Sequence, residues 1–143
     1  MCVRVRVHGG CGCYWLRRYG TTPVLPDITS VEHAKEVLTP FIGAVHDAGV
    51  SHVLVSLGEH GVLHGAAPVG RSSSVEPTHY PAIAVAADKI VNTNGAGDSF
   101  VGATAASIAG GSVSIEHAIE VGLSAAAMSV QSAHAVSHDL VPF

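Results

Sequence analysis

From residue 29 onward the chain alternates between two hydrophobic rhythms. Val31, Ala34, Leu38, Phe41, Val45 and Ala48 recur at steps of three and four, which predicts a helix with one buried face. Thr29 followed by Glu32 has capping-box spacing and opens that helix, Pro40 predicts a kink or break in its middle, and Gly49 closes it. His52-Val53-Leu54-Val55-Ser56-Leu57 then forms a short apolar, β-branched run between turn residues, the pattern of a buried parallel strand. After the turn Gly58-Glu59-His60-Gly61, Val62-Leu63 begins a second short strand. Residues 64–81 read as loop with Arg71-Ser72-Ser73-Ser74 at its tip, and His79-Tyr80-Pro81 with Ile83 and Val85 predicts an edge strand.

The second half repeats the alternation. Ile90-Val91 is an apolar lead-in strand to the polar, glycine-rich turn Asn92-Thr93-Asn94-Gly95-Ala96-Gly97-Asp98, and small and apolar residues then predict a helix ending at Gly110-Gly111. Ser114 caps a last helix that starts at Ile115, with Ile115, Ala118, Ile119, Gly122, Ala125, Ala126 and Ser129 on one face. The small residues from Gly122 to Val130 predict tight packing of this helix on the sheet, with a flat ligand beside it as the alternative.

Composition narrows the function classes. The 143 residues are 48% hydrophobic, enough for one domain with a sizeable core. No apolar run approaches the roughly 20 residues that span a bilayer, and a membrane partner is not expected. Residues 1–22 carry Arg4, Arg6, Arg17 and Arg18 and no acid, a charge of +4; residues 23–143 carry three basic residues against 11 acidic ones, a charge of −8. The acidic body is a poor surface for nucleic acid. All three cysteines and the single Trp fall in 1–22, where Cys11-x-Cys13 lacks the second ligand pair of a zinc site. We read 1–22 as a variable or foreign extension and 23–143 as the body, joined through Pro23 and Pro26. A body without cysteines fits a reduced, cytoplasmic compartment, with a mitochondrial presequence in the Arg-rich segment as the weaker reading. The ten histidines are scattered along the chain, and metal ligation by His is not expected.

The turn at 92–98 carries the chemistry. Gly95 and Gly97 let the backbone bend sharply and let a ligand approach its amides. The opening N–H groups of the helix lack intrahelical acceptors and sit at the positive end of its dipole, so the turn suits a phosphate. Asp98 beside it could take a proton from an attacking hydroxyl. A dinucleotide fingerprint would need glycine at Phe100, and a Walker A loop would need Gly-Lys-Ser/Thr; neither is present. Gly97-Asp98-Ser99 also admits a serine-esterase reading with Ser99 as nucleophile, although His134, His138 and Asp139 do not reproduce that family's pattern. The bland reading is a strand-to-helix turn with a capping Asp.

Asn92 to Asp98 resembles the C-terminal signature of the PfkB, or ribokinase-like, carbohydrate kinases, D-T-x-G-A-G-D, with Asn92 in place of its first Asp. Ser56 to Gly61 resembles that family's nucleotide segment Thr-x-Gly-x-x-Gly, with Ser56 for the Thr. The resemblance implies an α/β fold, a three-layer parallel sheet flanked by helices, here incomplete because it covers only the C-terminal portion, about residues 28–143. It implies ATP as its Mg2+ complex, bordered by Ser56, Leu57, Gly58, Glu59, His60 and Gly61, with Asn94 and Gly97 near the phosphates and the 115–132 helix near the adenine. It implies Asp98 as the base, with the amides of Gly95, Ala96 and Gly97 stabilising charge on the transferred group. Asn92 would be an oxygen ligand of a monovalent cation such as K+.

Within the family, His79-Tyr80-Pro81-Ala82, Phe100 to Ile108 and Val121 to Ala127 look most like pseudouridine kinases. The Gly-Gly sugar-binding region, the β-strand lid and the Asn-x-x-Glu motif of the N-terminal half are not recognisable. The expectation is therefore a phosphotransferase for a sugar or nucleoside hydroxyl, with a homodimer or a separately supplied N-terminal half as its partner. A non-catalytic nucleotide-binding remnant is the alternative.

Overall fold

Helix α1 (Val31–Asp47) starts one residue later than the capping-box spacing places it. Ser30, not Thr29, is the N-cap, and its hydroxyl accepts from His33 N at 3.1 Å. The helix runs on through Pro40, which removes only one bond of the ladder, and Gly49 follows the C-cap at φ +90° with its N–H on His46 O. The computed structural model describes residues 2–3, 30–67, 76–111, 114–137 and 139–140. They fall into two units, Met1–Pro81 and Ala82–Phe143. The linker prolines, the Arg71–Ser74 tip and all of the 1–22 stretch except Cys2–Val3 lie outside the described residues.

In the first unit the sheet order is β1 (Cys2–Val3), β2 (His52–Ser56), β3 (Val62–Ala66), β4 (Thr78–Tyr80). The expected parallel sheet is corrected here. Only β1 and β2 are parallel; β2–β3 and β3–β4 are antiparallel, with Leu54 opposite His64 and Val62 opposite Tyr80. Chain connection decides this, because the short turn Leu57–Gly61 can close a hairpin whereas a parallel return needs a crossover of about a dozen residues or more. β4 stands at the edge as expected, but it stops at Tyr80 and does not include Ile83 or Val85.

One face of the sheet packs on α1. Ala34, Leu38 and Ile42 meet Val53, Val55, Leu57 and Leu63, with Val31, Phe41 and Val45 partly buried around them. Ile42 belongs to this core although it falls outside the predicted stripe, while Ala48 is exposed. Gly65 keeps the helix close, since a Cβ there would overlap the Ile42 side chain and come within 3.1 Å of His46 Nε2.

In the second unit, the predicted lead-in strand at Ile90-Val91 does not form. Residues 90–93 have no strand partner; instead Val91 N and Asn92 N both donate to Val130 O, at 2.8 and 3.1 Å. Helix α2 (Ala96–Ala109) ends at Gly110 as expected, and α3 (Ile115–Val130) starts behind Ser114, whose hydroxyl accepts from His117 N at 3.2 Å. The small face of α3 packs on α2. At Gly122 a Cβ would collide with Thr104 Oγ1 and lie 2.8 Å from Phe100 Cδ2, so glycine sets the helix spacing. Among the described residues, no helix is long and apolar enough to cross a membrane.

Candidate active site

The signature turn is built on one glycine. Gly95 is the N-cap of the 14-residue helix α2 and sits at φ +81°, ψ −10°, the left-handed region. A Cβ at Gly95 would also run into the carbonyl group of Ala135, so conformation and space both demand glycine. The α2 ladder begins with Ser99 N donating to Gly95 O at 2.8 Å. The amides of Gly95, Ala96 and Gly97 precede that first bond and point out of the helix start, and no capping side chain bonds there. Upstream, Asn94 N donates to Asn92 Oδ1 at 3.0 Å, an Asx turn in which the Asn92 side chain shapes the bend. Asp98 lies in the first turn and is exposed.

Ser99 faces the other way. It is buried, and its Oγ lies 2.6 Å from the fully buried Ser129 Oγ of α3. A serine held inside a helix pair is no accessible nucleophile, which removes the esterase reading. Ser129 Oγ also accepts from Ser137 N at 3.5 Å, and Ser137 Oγ accepts from Asp139 N at 3.2 Å. The end of α3 thus joins the start of the signature through Val130 O, the first turn of α2 through Ser129, and the segment after α3 through Ser137. Sequence reasoning placed Ser129 on the buried face but gave its hydroxyl no task. A hydroxyl on an apolar face was the available signal, because a buried polar group finds a partner.

The first unit holds the other predicted segment. Gly58–His60 forms one 3₁₀ turn between β2 and β3, with Gly58 at φ +62° and Gly61 at φ +95°, both in the region that favours glycine. Ser56 ends β2 half-buried, Glu59 is exposed, and His60 O accepts from the His79 ring at 2.6 Å. Leu57 does not fit its predicted role of touching nucleotide. Its side chain is buried in the α1–sheet core, its N–H donates to Gly61 O at 2.7 Å, and its carbonyl accepts from His60 N at 3.2 Å.

The fit to ligands differs among those expected. A glycine turn whose opening amides have no intrahelical acceptor suits phosphate oxygens; the space a Gly95 Cβ would take is filled by the Ala135 carbonyl and is not left for a ligand. No group of three or more His, Cys, Asp or Glu gathers among the described residues, so they form no magnesium cage of their own. Asn92 Oδ1 already accepts from Asn94 N, and one such oxygen is far short of the about six to eight that surround a hard cation.

The family model for pfkB family carbohydrate kinases matches residues 25–140. Ribokinase of Thermotoga maritima is similar in structure at TM-score 0.53 and 30% identity over 73% of this chain and 35% of its own. Arabidopsis thaliana ribokinase, solved with ribose and ATP, is similar at TM-score 0.58 and 31% identity over 70% of this chain and 29% of its own. Adenosine kinase of Anopheles gambiae, solved with a di(adenosine) tetraphosphate, reaches TM-score 0.55 and 26% identity over 80% of this chain and 30% of its own. The chain therefore spans about a third of the length of the solved structures it matches. Among curated proteins, no significant match is found.

Proposed function

This chain belongs to the pfkB family of carbohydrate kinases, and on that premise we propose that it carries the phosphoryl-transfer turn of an ATP-dependent sugar or nucleoside kinase. The observation that carries the proposal is the start of α2, where an obligatory glycine opens a row of amides beside an exposed Asp98. ATP, as its magnesium complex, supplies the phosphoryl group. The Asp98 carboxylate accepts the proton of the attacking hydroxyl as the new O–P bond forms and the bond to the ADP oxygen breaks. The amides of Gly95, Ala96 and Gly97 donate to the phosphoryl oxygens, stabilising charge where it grows. In the first unit, the turn from Ser56 to Gly61 is proposed to border the nucleotide through the Ser56 hydroxyl and the backbone of Gly58 to Gly61, not through Leu57. Asn92 is proposed as one oxygen of a monovalent-cation site.

For the acceptor we propose the 5′-hydroxyl of pseudouridine. What supports it is the wording of His79 to Ala82, Phe100 to Ile108 and Val121 to Ala127. The ribose and adenosine kinases among the structural neighbours favour a ribose-bearing acceptor more broadly. The test is phosphorylation of pseudouridine against ribose and adenosine, in an assembly that supplies the rest of the domain. In that assembly Asp98→Asn is expected to lower turnover by at least about a hundredfold while ATP affinity, read by calorimetry, stays the same. Near-normal turnover in that variant would defeat the assignment.

A further inference from the structure

We propose that Ser129 is a positioning residue for phosphoryl transfer, acting through Ser99 to fix how the first turn of α2 presents its amides and Asp98. The inference rests on the kinase reading above. Ser129 is fully buried, and its hydroxyl can donate once and accept twice. One acceptor position takes Ser137 N, and Ser99 Oγ at 2.6 Å takes another bond. Ser99 N closes the first bond of the α2 ladder on Gly95 O. Holding the Ser99 side chain therefore holds the rotation of that whole turn.

Successive residues on a helix are about 100° apart, so with Ser99 pinned inward Asp98 is set outward, as its exposure records. The Ser137 branch steadies the segment that carries Ala135, whose carbonyl lies where a Gly95 Cβ would be. One residue on, Val130 O takes both Val91 N and Asn92 N at the entry to the turn. The Ser129 hydroxyl thus makes two of the three attachments around this bend, and the neighbouring Val130 carbonyl makes the third.

The test follows the backbone amides of Gly95 and Gly97 by NMR while the isotope-labelled chain is titrated with ATP. In the unaltered chain both amides are expected to shift. Ser129→Ala is expected to weaken the ATP affinity read at these amides by about fivefold, the equivalent of one ordinary hydrogen bond, and to lower the thermal midpoint. In Ser99→Ala/Ser129→Ala the serine pair is removed together, which restores much of the midpoint because Ser99 is no longer stranded. The affinity loss is expected to remain. If affinity returns along with the midpoint, or if neither variant changes it, Ser129 is a packing residue and the inference is overturned. Absence of any ATP response at Gly95 and Gly97 in the unaltered chain defeats the kinase reading of the turn first, and this inference with it.

Discussion

Gly95 shows how much of a site can rest on a missing side chain. Any L-residue there must adopt a left-handed backbone, at a cost of about 1–2 kcal/mol, and must also displace the Ala135 carbonyl. Gly95→Ala is therefore expected to destabilise the chain by about 2 kcal/mol or more, seen as a lower urea midpoint, and to abolish the ATP response of the neighbouring amides. The sequence made this residue legible because glycine spacing before a helical run has few other causes. The partners that hold the turn were not legible in the same way. Ser99 and Ser129 are 30 positions apart, and nothing in a linear pattern pairs one hydroxyl with another across that distance. Leu57 erred in the opposite direction: inside a motif it looked like a ligand contact, yet its apolar side chain went to the core.

At the scale of elements, helix ends were readable apart from the start of α1, where Ser30 takes the place expected of Thr29, and sheet direction was not. Ser114, Gly49 and Gly110 stop or start helices by local chemistry, and the structure places them where that chemistry predicts. Strand direction depends on what lies between strands, and the brief Leu57–Gly61 turn turns β3 back on β2. Residues 90–91 have strand-like composition but have no neighbouring strand among the described residues of their unit, so propensity alone could not make one. The α2–α3 pair offers a contrast between two glycines. Gly122→Ala would force Phe100 and Thr104 away and is expected to cost about 1–3 kcal/mol. Gly102→Ala meets open space on an exposed helix face and is expected to stabilise by about 0.5–1 kcal/mol. Thermal midpoints of the two variants should move in opposite directions.

For the whole molecule, coverage and exposure both matter. The match covers about a third of each of these solved relatives, and the chain leaves Ile83, Ile90 and Val91 exposed, Val91 at 61%. Apolar residues in an unpaired extended segment invite contact with other chains. Sedimentation velocity is expected to show concentration-dependent association, reduced in Ile90→Thr/Val91→Thr; a monomer at all concentrations would contradict this. The Ala135 carbonyl against Gly95 also has a bearing on biosynthesis. A nascent chain can wind α2 as soon as it emerges, but the bend at its head gains its outer wall only after residues 135–137 have cleared the ribosome. A stop codon shortly after residue 130 would thus spare both helices of the pair and still leave the bend without that wall.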